Sequence, residues 1–202
     1  GWVVRDSFVT RLKAGEPDAM RRFQKALHTK LQTGKGYLFF VDKANRHRPQ
    51  MYKDHGLEVV ATNLCTEIML HSSEEHTYSC ILASLNLVHW DKIKSSDAAF
   101  VATVFLDCVC SEFVEMAKNV PGLEKVVRFT EQGRAIGLGV MGYHTYLQSK
   151  MIPYVGLEAQ FLGQEMAEHI AKESLRASQW LAQEFGEPEW CKGYGLRNTH
   201  RT

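Results

Sequence analysis

The sequence carries no surplus of charge of either sign: 24 Lys and Arg face 23 Asp and Glu over 202 residues, a formal net charge of +1. Affinity for a nucleic-acid backbone comes mainly from surplus Lys and Arg that release counterions, so a general polyanion binder is excluded. The run Arg46-His47-Arg48 is too short to change that. Proline is scarce, with five residues, and no Pro-, Gly- or Ser-rich tract or internal repeat divides the chain. No apolar run nears the roughly 18 residues that span a bilayer, and the start lacks a basic segment followed by an apolar one and a small-residue cleavage site. Five cysteines, at 65, 80, 108, 110 and 191, are an odd number at irregular positions that fits no disulfide framework. These absences point to a cytoplasmic chain with reduced thiols and with neither a membrane nor a nucleic acid as partner. The chain begins at Gly1 rather than Met, which reads as a piece of something longer.

What is present is the composition of a globular protein. Hydrophobic residues make up 45%, and a chain of this length can bury about 70% of the surface it exposes when unfolded. Val4, Phe8, Val9 and Leu12 have helical spacing, so residues 2–13 read as the end of a helix. Pro17 opens a second helix with Met20, Phe23, Leu27 and Leu31 on one stripe and Gly34 as its stop, and the two form a helical hairpin. Gly36 to Val41 is a short apolar run expected as a buried strand, residues 43–56 read as a polar loop, and Leu57 to Ala61 and Ser79 to Val88 are further apolar runs. A helix follows Ser95-Ser96-Asp97 with Phe100, Val104, Cys108, Phe113 and Met116 as its apolar face, and Pro121-Gly122 ends it. Arg134 to Val140 reads as a strand, Gly142 to Ser149 as a short helix, and Leu157 to Phe185 as a long one stopped by Gly186. Strands alternating with helices indicate an α/β fold with parallel strands.

The segment Asn63-Leu64-Cys65-Thr66-Glu67 sets an amide, a thiol and a carboxylate at alternate positions. In an extended backbone these three share one face, spaced by roughly 6.6 Å, with Leu64 on the other. An amide bonds hydroxyls, a carboxylate takes a proton, and a thiol serves as nucleophile, ligand or hydrogen-atom donor, which together suit work on a polyol. The bland alternative is a small buried thiol between two loop residues. Cys80, fifteen residues on, lies in an apolar segment able to form a strand, either as a packed thiol or as a redox group.

Asn63-Leu64-Cys65-Thr66-Glu67-Ile68 resembles the finger-loop signature of the large, catalytic subunit of ribonucleotide reductase, class I with class II as the alternative. Other segments resemble that family in the same order: Thr33 to Tyr37 through Val41-Asp42 and Asn45, Cys80 through Asn86-Leu87, Gln132 to Val140, and Gly195-Leu196-Arg197-Asn198. The resemblance implies that residues 1–202 are a single fragment, without a second domain, of a ten-stranded α/β barrel, with the helical hairpin at the N-terminal end and the finger loop over about 62–70. It implies that Cys65 becomes a thiyl radical that takes hydrogen from ribose carbon 3. Glu67 then receives the 3-hydroxyl proton, Asn63 bonds the sugar hydroxyls, and Leu64 and Thr66 complete the substrate contacts. Cys80 would be half of the dithiol whose oxidation to a disulfide delivers two electrons as the 2-hydroxyl leaves as water.

The same resemblance implies that this chain binds no cofactor or metal directly. The radical would come from a metal-containing small subunit, or from adenosylcobalamin in class II, and an external dithiol such as thioredoxin or glutaredoxin would restore the thiols. The implied function is reduction of ribonucleotides to deoxyribonucleotides for DNA synthesis. Residues 1–64 contain no cysteine to pair with Cys80, so the chain is expected to be inactive without the remaining parts of the large subunit. Two alternatives are a nucleotide-binding module using the G-x-G-x-x-G stretch Gly137-Leu138-Gly139-Val140-Met141-Gly142, with Glu158 as its acid, and an inert structural fragment. Cys108 and Cys110 read as two packed thiols, His71, His76 and His89 as surface-loop histidines, and Trp180, Trp190 and Phe185 as core anchors.

Overall fold

Trp2, Val3 and Val4 are β-forming side chains in succession, and the computed structural model, which describes residues 1–201, places them in a strand, β1 (Trp2–Val4), where the periodicity predicts helix. The helix starts only at Asp6, because the Asp42 carboxylate accepts the Asp6 N–H at 2.7 Å and Arg5 is still extended. The chain divides into two compact units, Gly1–Tyr78 and Ser79–Thr202.

In the first unit β1 leads through α1 (Asp6–Lys13) and α2 (Pro17–Thr33), the expected hairpin, to β2 (Leu38–Phe40), which pairs with β1 in parallel. Pro17 sits in the first turn of α2 and Gly34 closes it in the left-handed conformation at φ 66, as the sequence signals require. The expected apolar stripe of α2 is largely open, however: Ala19 is its one buried residue and Leu31 is 86% exposed. Residues read as a polar loop instead contain two short helices, α3 (Val41–Arg46) and α4 (Gln50–Asp54), each too short to show a period and each pinned by buried side chains, Val41 in one and Met51 and Tyr52 in the other. Phe39, Val41 and Val59 form a small core with Val3 and Ala44 against it.

The second unit begins with β3 (Leu82–Asn86), a 3-10 turn (Leu87–His89) and α5 (Trp90–Ile93), followed by α6 (Ala98–Ala117) and α7 (Glu124–Gly133). The chain continues through β4 (Gly137–Met141), α8 (Tyr143–Ser149) and α9 (Leu157–Phe185) to a 3-10 turn at Glu189–Cys191. β4 pairs in parallel with β3, Leu82 opposite Gly137, so the expected α/β arrangement with parallel strands is present in both units. The core joins Leu87, Trp90, Leu106, Ile136, Leu138, Met166 and Ile170. The buried face of α6 differs from the expected one: Ala99, Thr103, Leu106, Asp107 and Cys110 point inward while Phe105 and Met116 are exposed, because a helix apolar on all sides gives no period from which to choose. Among the described residues no helix is long and apolar enough to cross a membrane.

One buried carboxylate ties this unit together. Asp107, 3% exposed, accepts from Arg134 Nε and Nη2 at 2.8 Å each, from Arg197 Nε at 3.1 Å and from Asn198 Nδ2 at 2.9 Å. Arg134 Nη2 also reaches Ser111 Oγ and the Asp107 carbonyl. Burial acts to lower the Arg134 guanidinium, but its bonds to Asp107 outweigh that and hold it above its ordinary value. Arg197 donates to the Phe185 and Gly186 carbonyls at the end of α9, and Thr199 N–H and Ile136 N–H close the strand approach through Gly133 and His200 carbonyls. Removing one member of such a pair leaves a buried charge unmatched, so Asp107→Ala is expected to lower stability by about 3–5 kcal/mol. Urea unfolding followed by circular dichroism measures it, with Glu112→Ala on the exposed side of the same helix as a control that changes little.

Candidate active site at the Asn63 to Glu67 turn

Residues 57–71 carry no strand ladder, and the 63–67 segment is a turn rather than the extended run that alternate spacing suggests. Thr66 N–H bonds the Asn63 carbonyl at 3.2 Å and Thr66 takes a left-handed φ of 71, which turns the chain back within four residues. Such a conformation costs a non-glycine residue about 1–2 kcal/mol. Side-chain bonds offset it. Asn63 Oδ1 accepts Ile68 N–H at 3.0 Å, Asn63 Nδ2 donates to Glu67 Oε1 at 2.6 Å, and Thr62 Oγ1 donates to the Ile68 carbonyl at 2.7 Å.

The turn thus brings Asn63 and Glu67 together and puts Cys65 and Leu64 at the tip, both exposed and Leu64 84% so. Cys65 is a free thiol; Thr66 is half-buried, with a buried Oγ1 that has no bonding partner. The Asn63 amide has one N–H spent on Glu67 and its oxygen spent on Ile68, which leaves its second N–H for an incoming hydroxyl. Glu67 remains exposed beside it. A hydrogen-bonded amide and carboxylate flanking an accessible thiol can bind a diol, accept one of its protons and present sulfur to it.

The limbs below the tip are joined by side chains. Asn45 Nδ2 donates to the Val59 carbonyl at 2.8 Å and the Val41 carbonyl at 3.1 Å, while its Oδ1 accepts Val59 N–H at 2.9 Å and Arg48 Nη1 at 3.2 Å. His71 Nδ1 lies 2.8 Å from the Glu58 carbonyl, and His71 N–H reaches the Tyr52 hydroxyl. His71 is therefore buried, at 8% exposure, instead of a surface-loop residue, and burial holds its imidazole below the ordinary value. Asn45 belongs to a segment that carries the family resemblance, but neither its bonds in this stem nor those of His71 are legible in the sequence, since their partners are main-chain groups 14 and 13 residues away.

The other candidates fall elsewhere. Cys80 is exposed and lies in the second unit, just before β3. The Gly137 to Gly142 stretch is filled in: a Cβ at Gly137 would stand 2.5 Å from the Leu82 side chain, one at Gly139 would stand 3.4 Å from Ser84 Oγ, and one at Gly142 2.5 Å from Asn86 Oδ1. These glycines make room for β3, which accounts for them without a bound phosphate. Of the paired cysteines Cys110 is packed but Cys108 is exposed, on opposite sides of α6. Trp190 is a core anchor against Gly133 and Phe129, whereas Trp180 and Phe185 are exposed at 38% and 63%. Among the described residues no group of three or more His, Cys, Asp or Glu is placed to hold a metal.

The family described as the ribonucleotide reductase barrel domain matches residues 9–200, and the chain belongs to that family. The alpha subunit of a class Id ribonucleotide reductase from Actinobacillus ureae superposes with a TM-score of 0.92 at 45% identity, over 98% of this chain and 38% of that one. The ribonucleoside-diphosphate reductase large subunit of Invertebrate iridescent virus 3 is 34% identical over 91% of this chain and 29% of its own length, and the putative one of Frog virus 3 is 37% identical over 90% and 32%. A vitamin B12-dependent ribonucleoside-diphosphate reductase from Thermoplasma acidophilum is 35% identical over 82% of the chain. The chain thus spans about a third of the length of these viral relatives.

Burial pushes the Cys110 and Cys191 thiols up to about 12, which keeps them protonated and unreactive, while Cys65 and Cys108 are open. At about pH 8 the folded chain is expected to take iodoacetamide at the exposed Cys65, Cys80 and Cys108, and at Cys110 and Cys191 only after denaturation, as peptide mass spectrometry will read.

Proposed function

We propose that this chain is the finger-loop-bearing part of the catalytic barrel of a ribonucleotide reductase large subunit, and that it reduces ribonucleotides only together with the rest of that subunit. The observation that carries this reading is the Asn63–Glu67 bond of 2.6 Å beside the exposed Cys65 thiol at the tip of one turn. Membership of the barrel-domain family supports it.

In this reading Cys65, as a thiyl radical, takes the hydrogen atom from ribose carbon 3 and leaves a carbon radical. Glu67 accepts the 3-hydroxyl proton while the second N–H of Asn63 holds a sugar hydroxyl, and Leu64 and Thr66 border the sugar. The 2-hydroxyl leaves as water. Cys80 and a second thiol from elsewhere in the large subunit lose two electrons and two protons as their disulfide forms, one proton leaving with the 2-hydroxyl as water and the other, with the electron pair, becoming the new hydrogen on carbon 2, and Cys65 returns its hydrogen to carbon 3. A balanced turnover is thus ribonucleotide plus dithiol giving deoxyribonucleotide, disulfide and water. The radical originates outside this chain, in a metal-containing small subunit or in a B12 cofactor, and a small dithiol protein in the cytoplasm restores the thiols.

Replacing Cys65 by Ala in the full-length subunit, assayed with its radical source and dithiol, is expected to lower reduction by more than about 1,000-fold while nucleotide binding persists. Glu67→Gln, which keeps the Asn63 contact but accepts no proton, is expected to lower it by about 100-fold or more. Full activity in Cys65→Ala would overturn the reading.

A further inference from the structure

We propose that Asn45 is a positioning residue for the Cys65 thiol: its side-chain amide clamps Val59 and so fixes the base from which the 63–67 turn is presented. The proposal rests on Cys65 being the reacting group, as proposed above.

All four hydrogen-bonding positions of the Asn45 amide are used, two donated to the Val41 and Val59 carbonyls and two accepted from Val59 N–H and Arg48. Val59 therefore has its N–H and its C=O bonded to one side chain, the two bonds that a neighbouring strand would otherwise supply. Its own side chain is 1% exposed and packs on Phe39 and Val41, so the clamp joins main chain that is already anchored. From this point six residues lead to Cys65. Within the first unit nothing packs over the tip, where Leu64 is 84% exposed and Cys65 is open. The position of the sulfur is therefore set from below, by Asn45 on the incoming limb and by the tie from His71 to Glu58 across to the outgoing one.

Hydrogen-atom transfer is sensitive to that placement, since a displacement of about 1 Å at a reacting atom costs about 100-fold in rate. Asparagine is suited to the clamp by its chemistry. Aspartate has the same shape but no donor, so its carboxylate would face the Val41 and Val59 carbonyls. Serine is neutral but too short to make both bonds to Val59.

The experiment compares Asn45→Asp, Asn45→Ser, Cys65→Ala and the exposed same-helix control Lys43→Ala in the full-length large subunit assembled with its radical source. Steady-state reduction gives kcat and KM for the ribonucleotide. Amide hydrogen exchange by mass spectrometry gives the mobility of residues 57–71, with β3 and β4 as the internal reference. Asn45→Asp is expected to lower kcat by about tenfold or more with KM within about twofold of the parent. It should also speed exchange at Val59 and across 62–68 and leave the reference strands unchanged. Asn45→Ser is expected to move both readouts the same way by less, and it carries the test if the charged variant fails to fold; Lys43→Ala behaves as the parent. Parental kcat in both Asn45 variants, or unaltered exchange at Val59, would overturn the proposal. Full reduction by Cys65→Ala would sink the reading of Cys65 itself, and the exchange data would still decide whether Asn45 fixes the loop.

Discussion

The second unit depends on a charge kept out of water. Asp107 lies on the inward face of α6, and its carboxylate is the meeting point of Arg134 at the end of α7, Arg197 beside the end of α9, and Asn198. An isolated buried carboxylate is costly, so the arrangement is stable only when these donors arrive together. That requirement has a geometric result. Arg134 is also the left-handed residue that stops α7 and turns the chain toward β4, so the pair that neutralises Asp107 sets where β4 begins. β4 then opens at Gly137, which lies opposite Leu82 of β3.

The first unit is held differently. Its small core of Phe39, Val41 and Val59 fixes one end of the 57–71 segment, and beyond that point the chain is shaped by side chains bonding main-chain groups. A turn built this way need not follow a ladder register. It can carry a strained residue such as Thr66 and leave a thiol standing clear of the surface, which a strand packed between neighbours cannot do.

The long helices could be read from the sequence because their ends are punctuated: Pro17 and Gly34 bound one and Gly186 stops another. Alternation of apolar runs with helices gave the parallel α/β class. Elements too short for a period escaped, namely β1, α3 and α4, and α7 went unanticipated between Pro121-Gly122 and the glycine-rich strand. At the site, Asn63, Cys65 and Glu67 stood out by their chemistry and by the resemblance they carry. Their conformation did not, since alternate spacing suits a strand and also a turn, and the choice was made by Thr66 adopting a positive φ and by Asn63 bonding Ile68. Asn45 stood in a segment that carries the resemblance, but it and His71 bond peptide groups that every residue possesses, so no pattern of side chains could reveal those bonds.

The glycines of β4 have an evolutionary corollary. Leu82 occupies the volume that a side chain at 137 would need, and Asn86 and Val88 occupy that of 142. A side chain at 137 therefore has to displace the tip of Leu82, a flexible group that is 53% exposed, so bulk at 137 is accommodated by a shift of that side chain or by a smaller residue at 82. Position 142 lacks even that freedom, because its φ of 77 penalises any side chain regardless of its neighbours. Along this strand pair, drift in sequence should be accommodated at one end and stand still at the other.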